Sequence, residues 1–341
     1  MKTIEMCAGA GGQALGLHNA GFEHEVLIEI DEHACSTLRF NNEKLNLGWN
    51  KIVEGDLKDF ANFSAAAYQG EIALVAGGVP CPPFSKAGKQ LGADDERDLF
   101  PTALKIVQSV KPLMVMLENV PGLAESKFQP YRDAITSHLS DLGYLSEWKV
   151  LQASDFGVPQ LRPRMILVAV QKPHFKHFEW PEPIDTPTPT VGDALFDMMS
   201  EKGWEGVERW REMADGIAPT LVGGSKKHGG PDLGPTRAKA QWQALGVNGH
   251  RVGSLEEVPG PGFKGVLMRN GTIRPGTEGM PLLTVPMAAK IQGFPADWSF
   301  VGNKTNAYRQ VGNAFPPPVA QAVGEKLMEV LRIVQGEYRA A

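Results

Sequence analysis

A mostly parallel α/β sheet covered by helices is the fold class this sequence predicts, and three observations carry it. Short apolar runs alternate with polar turns and helical stretches through the first 170 residues. The turns after those runs hold glycine, cysteine and carboxylate residues, where open α/β sheets keep their active groups. Apolar helical spacing then returns at the far end of the chain, with Val319, Val323, Leu327, Val330 and Val334 on one face.

Taken in order, residues 3–6 read as a strand, followed by a glycine loop and a helix over about 13–19. Residues 25–30 form the next strand and 32–40 the next helix. A weaker unit at 52–53 ends in Gly55-Asp56. The strand at 72–76 runs into Gly77-Gly78, the one at 113–117 into Glu118-Asn119, and a late strand covers 165–170. The texture then changes: Pro173, Pro181, Pro183, Pro187 and Pro189 disfavour helix and central strand. Residues 203–280 are rich in Gly, Pro, Trp and Arg. A large domain built from 1–172 plus 281–341, with a smaller loop-rich domain inserted at 173–280, is the simplest organisation. Trp204, Trp210 and Trp242 are expected in its core.

The chain has 341 residues, 42% hydrophobic and 21% charged, which is ample for a buried core without disulfides. Cys7, Cys35 and Cys81 form no CxxC pair, so a disulfide framework and a Cys-type zinc site are both disfavoured. Glu5 interrupts the first apolar run, so no signal peptide is read there. No window reaches 18 apolar residues, so no membrane span is expected and a cytoplasmic location is. A net charge of -5 argues against a polybasic nucleic-acid binder but not against a local basic cleft. Residues 220–252 carry Lys226, Lys227, Arg237, Lys239 and Arg251 against the single acidic Asp232.

The loop at 9–14, Gly9-Ala10-Gly11-Gly12-Gln13-Ala14, lets backbone approach a ligand closely. Glu29, at the end of the next strand, could accept from ribose hydroxyls, and Asp56 could meet an adenine amino group. On these residues alone a dinucleotide, an S-adenosylmethionine-type ligand and a structural turn all remain open. The turn at 77–85 says more. Cys81 sits just past a buried strand with proline on both sides, so its thiol is aimed, as a nucleophile requires. A packed apolar cysteine is the plainer alternative. Glu118, ending the next strand, is expected in the same crevice. A thiolate with a carboxyl group suits addition to an electron-poor ring, the carboxyl engaging a ring nitrogen. Residues 86–100 read as a lid or a plain exposed loop. Arg162 and Arg164, one residue apart on an extended segment, are expected to point the same way; they could clamp a phosphate or carbonyl oxygen or orient Glu118, with a plain surface pair as the alternative.

As an ordered set these segments resemble the cytosine-C5 DNA methyltransferase family of bacterial or phage type. The resemblance rests on the loop at 5–12, Pro80-Cys81, Glu118-Asn119-Val120 and the Gln160, Arg162, Arg164 signature. It also rests on Ile291-Gln292-Gly293-Phe294-Pro295 and on the segment 309–314 followed by Pro316-Pro317. It implies an S-adenosylmethionine-dependent, Rossmann-like catalytic domain with 173–280 as an inserted target-recognition domain on double-stranded DNA. The implied cofactor set is Met6, Cys7, Ala8, Gly9, Gly11 and Gly12 near the methionine portion, and Glu29 at the ribose. Asp56 falls at the adenine amino group, with Ile30, Leu57, Pro80, Leu99, Asn313 and Ala314 completing the set. Asn313 is expected to be mainly structural, bridging the cysteine loop to the cofactor domain.

By the same resemblance Cys81 attacks C6 of a flipped cytosine and Glu118 engages N3. Arg164 lies near the cytosine carbonyl, while Arg162 supports Glu118 or the phosphate backbone. Ser85 and Lys86 meet DNA, and Lys226, Lys227, His228, Arg237 and Arg251 are the groove-reading candidates. A monomer on DNA is expected, without metal, either alone or alongside a cognate restriction endonuclease acting on the same site without a stable complex. Three departures stand out: Cys7 replaces the family's usual phenylalanine, Ile30 stands where a bulkier aromatic partner of the cofactor is common, and the segment 281–290 lacks the Thr-x-Arg-Glu pattern common before Gln-Gly-Phe-Pro. An RNA-directed relative, a non-catalytic DNA-binding module and a dinucleotide oxidoreductase are the competing readings. The first lacks its Cys-Phe-Thr segment here. The second is at odds with the retained Cys81 and Glu118, and the third leaves Pro-Cys-Pro-Pro unexplained.

Overall fold

The protein is described here from a computed structural model covering residues 1–80, 98–223 and 231–340, with side chains to 336. Seven strands form one sheet: β1 (Lys2–Met6), β2 (Glu23–Glu29), β3 (Lys51–Glu54), β4 (Leu74–Gly77), β5 (Met114–Asn119), β6 (Tyr144–Gln152) and β7 (Pro163–Gln171). Their order is β3-β2-β1-β4-β5-β7-β6. Strands β1 to β5 pair in parallel, and β7 runs antiparallel to β5. The order reverses between β1 and β4, so the crevice beyond Met6 and Gly77 is the switch point where open α/β sheets bind ligands. The helices are α1 (Gly12–Asn19), α2 (Glu32–Lys44), α3 (Leu57–Phe63), α4 (Phe100–Val110), α5 (Gln129–Asp141), α6 (Val191–Ser200), α7 (Val207–Met213), α8 (Thr236–Ala244), α9 (Val285–Ile291), α10 (Lys304–Asn313) and α11 (Pro317–Ala340).

The strands read from sequence are all present, within two residues at each end. Strand β6 was not anticipated. Its Ser146, Glu147 and Lys149 break apolar alternation, as suits an edge strand that must stay soluble. Helix α2 starts where Asp31 accepts from the His33 and Ala34 amides, and α3 where Asp56 accepts from Lys58. In the core of the sheet, the β1, β2, β4, β5 and β7 side chains Ile4, Ile28, Val75, Val115 and Leu167 are fully enclosed. Among the described residues no helix is long and apolar enough to cross a membrane.

The chain divides into two compact units. One holds residues 1–151, 163–182 and 319–341; the other holds 152–162 and 183–318. This division differs from the borders at 172/173 and 280/281 expected above, because α9 and α10 are bonded within the second unit. There the Asn248 and Gly253 amides donate to the Pro281 and Leu283 carbonyls at 2.9 and 2.8 Å. Thr284 caps α9, its hydroxyl accepting from the Met287 amide. The segment that departs from the family pattern is therefore an ordered, capped element. Trp204, Trp210 and Trp242 are buried in the second unit, Trp210 donating to the Gly246 carbonyl at 3.1 Å.

Candidate active site and cofactor cradle

In the first unit, the cofactor candidates Met6 to Gly12, Glu29, Ile30, Asp56 and Leu57 follow the ends of β1, β2 and β3. Cys7, Gly9 and Gly11 have φ of 51°, 54° and 85°, bending the chain sharply from β1 into α1. The Glu29 carboxylate holds that bend: its Oε2 accepts from the Gly9 amide at 2.7 Å, and its Oε1 from the Ile30 and Asp31 amides at 2.9 and 2.8 Å. Three donors against roughly four lone-pair sites leave capacity for one more, which fits a ribose hydroxyl. Glu29 lies opposite Glu54 in the β2–β3 register, so Asp56 emerges at the same sheet edge. Ile30 is 69% exposed beside them, an apolar surface a purine would cover. Leu57 is buried and Leu99 partly so. The Leu99 amide donates to the Pro80 carbonyl at 3.2 Å.

The Cys7 thiol is pushed up to about 12, first by burial and then by the charges of Glu29 and Asp56. At that value it stays a neutral thiol over the physiological range. Cys35, also raised to about 12 chiefly by burial, donates to the Glu29 carbonyl at 3.3 Å.

Glu118 and Arg164 meet at the end of β5. In the β5–β7 register Glu118 opposes Ile166, so Arg164, two residues along β7, lies diagonally on the same face. The Arg164 Nε donates to Glu118 Oε1 at 2.7 Å, with both side chains at least 86% enclosed. Burial lowers the Arg164 pKa and the Glu118 charge opposes that shift; an arginine stays cationic throughout. Because β7 is antiparallel, its first residues fall at the edge where the parallel strands end. On the far side of Glu118, a Cβ on Gly78 would stand 3.0 Å from Oε2. Asn119 donates to the Val79 carbonyl at 2.9 Å, tying β5 to the chain just before Pro80. Cys81, Ser85, Lys86, Lys226, Lys227 and His228 lie outside the described residues.

The two arginines are held by different partners. Strand β7 begins at Pro163, so the alternation that would align them does not extend back to Arg162. In the second unit Arg162 is 1% exposed and donates to the carbonyls of Leu221, Gly312 and Ala314 at 2.6, 2.8 and 3.0 Å. Gln160 was read only as part of the signature. Its amide donates to Gln292 Oε1 at 2.7 Å, and its oxygen accepts from the Leu221 amide at 2.8 Å. Asn313 ends α10 and Ala314 caps it. Arg237 is exposed in the first turn of α8, whereas Arg251 forms a two-pronged ion pair with Glu257.

Residues 1–329 match the family model for the C-5 cytosine-specific DNA methylase. The chain is 50% identical over 340 residues to the Type II methyltransferase M.NaeI of Lentzea aerocolonigenes, covering 99% of this chain and 77% of that one. It is 49% identical over 330 residues to the Type II methyltransferase M.NgoMIV of Neisseria gonorrhoeae, covering 97% and 98%. A solved structure of a putative DNA modification methyltransferase from an E. coli prophage shares the fold at a TM-score of 0.62. Its identity is 21%, over 97% of this chain and 99% of that one. The chain therefore belongs to the C-5 cytosine-specific DNA methylase family, and is a DNA (cytosine-5)-methyltransferase with S-adenosyl-L-methionine as its methyl donor.

Proposed function

We propose that this enzyme modifies one cytosine within a specific duplex site, as the modification partner of a Type II restriction system like those its relatives are named for. A monomer serves, because one flipped base needs one catalytic crevice. A cognate endonuclease acts on the same site without a stable complex, and both work in the cytoplasm. The observation that carries the chemistry is the enclosed Glu118–Arg164 pair at the end of β5.

Cys81, emerging just after Pro80, adds its thiolate to C6 of the extruded cytosine. Glu118 hydrogen-bonds or protonates N3 and accepts from the amino group, drawing electron density through the ring to C5. Arg164 holds the Glu118 carboxylate in place and reaches the cytosine carbonyl. S-adenosyl-L-methionine, when bound, supplies the electrophilic methyl group. Loss of the C5 proton then restores the double bond and expels the Cys81 thiolate. Glu29, Asp56, Ile30 and the loop from Met6 to Gly12 hold the cofactor, with Leu57, Pro80, Leu99 and the Asn313-Ala314 pair assigned to the same task. Arg162 acts by positioning. Target reading falls to 173–280, with Lys226, Lys227, His228 and Arg237 as the leading contacts. Ser85 and Lys86 meet the DNA backbone. Arg251 remains a further candidate reader, with Glu257 competing for its terminal nitrogens.

The test is a base-resolution cytosine map of DNA from unmethylated cells expressing the protein or its Cys81→Ala form. One recurrent site, methylated only by the intact protein, is expected. An unmodified map from soluble protein would overturn the DNA assignment and favour an RNA substrate.

A further inference from the structure

Gln160 and Arg162 hold both backbone polar groups of a single residue, Leu221. The Leu221 amide donates to Gln160 Oε1, and its carbonyl accepts from Arg162 at 2.6 Å. The surrounding chain is bound in the same way. Ala218 donates to the Pro159 carbonyl at 3.0 Å, Leu161 donates to the Ala218 carbonyl at 2.7 Å, and the Thr220 hydroxyl donates to the Leu161 carbonyl at 2.6 Å. Residues 218–221 thus lie along 159–162 as a short hydrogen-bonded ribbon, with Leu221 itself enclosed.

A second, steric observation fixes where that ribbon goes. The Arg162 guanidinium also caps the end of α10 through the Gly312 and Ala314 carbonyls, a favourable place for a cation. Gly223 then crosses α10 at a distance no side chain allows. A Cβ on Gly312 would stand 2.4 Å from the Gly223 nitrogen, and one on Gly223 would stand 2.8 Å from the Arg309 carbonyl oxygen. Gln292 closes the assembly by donating to the Ala314 carbonyl.

From this geometry we infer that Gln160, Arg162 and Gly312 are positioning residues for target recognition. They fix the course of 218–223, the chain immediately before Lys226, Lys227 and His228, and so set which sequence is accepted. The inference rests on the reading of 173–280 as the recognition region. It predicts an effect on discrimination, whereas a merely structural role would lower all activities together.

The experiment uses the full chain and the site found by methylation mapping. Dissociation constants are measured for a duplex carrying that site, for one differing at a single base pair, and for S-adenosyl-L-methionine. Gly312→Ala is the principal variant, because alanine favours a helix interior over glycine and the backbone at Val222 and Gly223 opposes it. Thr220→Val, which removes one edge hydroxyl without changing shape, is the milder second variant. Both should reduce the ratio of correct to altered-site affinity by about tenfold or more, with cofactor affinity within about twofold. An unchanged ratio in both variants, or an equal loss of cofactor and DNA affinity, would overturn the inference. The double variant Lys226→Ala, Lys227→Ala separates the two levels. If it too leaves the ratio unchanged, the recognition reading itself fails. If it alone lowers the ratio, only the positioning role does.

Discussion

The end of β5 and the clamp around Arg162 both bury an arginine, and they hold it by different means. Arg164 meets one carboxylate, placed by strand register two residues from Ile166 on one face. Arg162 meets three carbonyls drawn from 221, 312 and 314, none of them in a strand. The first arrangement inherits its precision from a hydrogen-bonded sheet, suiting groups that must sit within tenths of an ångström of reacting atoms. The second builds precision from side chain to backbone bonds. A loop-rich region can then keep a defined course without adding strands. Under the function and the positioning role proposed above, chemistry is placed by the sheet and recognition by a buried cation.

The sharpest way to break that contrast is at Glu118. Glu118→Ala should lower kcat by about a thousandfold with cofactor affinity unchanged, the usual scale for an acid-base group. Arg164→Lys should cost about tenfold to a hundredfold, because lysine cannot reproduce the Nε geometry. Single-turnover methylation checks both, and a loss under about threefold for Glu118→Ala would remove the carboxylate from the mechanism. The adjoining glycines offer a finer comparison. A Cβ on Gly77 would stand 2.5 Å from the Met6 carbonyl oxygen in β1. Gly77→Ala should therefore destabilise the first unit by about 3 kcal/mol in urea unfolding. Gly78→Ala meets only the Glu118 carboxylate, at 3.0 Å. It should leave the urea midpoint nearly unchanged and lower kcat by about tenfold, which is about 1.4 kcal/mol of barrier. Equal effects at the two positions would show that Glu118 is not held tightly.

The same contrast explains what could be read from sequence. Strand ends are local signals: Gly77-Gly78, Glu29 and Glu118 each follow a short apolar run, and the sheet puts them where that pattern indicates. The partnership of Glu118 with Arg164 was half legible, because the spacing 162, 164 suggested a pair acting together. Only the antiparallel placement of β7 assigns one arginine to the carboxylate. The role of Gln160 was hidden, since its partners lie 61 and 132 residues away. No periodicity in the chain encodes such contacts. The helices α6, α7 and α8 were missed for a related reason: the glycine and proline between them masked short apolar faces that become evident once Trp210 and Trp242 are seen buried.

The thiols give a smaller, qualitative test. Cys7 and Cys35, both raised to about 12, should resist alkylation by iodoacetamide at pH 8 in the folded Cys81→Ala protein. Labelling of Cys7 at a free-thiol rate would mean that the glycine loop opens readily.

The smallest effect concerns Arg251 and Glu257. Hydrogen bonding from Arg251 holds the Glu257 carboxyl down at about 2, well below its ordinary 4.5. A depressed carboxylate contributes stability above its unfolded pKa and loses it as pH falls through the folded one. The urea midpoint gap between wild type and Glu257→Gln should therefore be full at pH 7 and close between about pH 4.5 and 2. With the two side chains 42% and 32% exposed, solvent screening limits the gap to below about 1 kcal/mol. The variant also tests where Arg251 belongs. Both terminal nitrogens of its guanidinium face Glu257, so a guanine edge approaching that same face competes with the carboxylate. If Arg251 reads DNA, Glu257→Gln frees it and tightens binding to the specific duplex. Unchanged affinity would assign Arg251 to holding the Ser254–Glu257 turn, and leave base reading to the other candidates, Lys226, Lys227, His228 and Arg237.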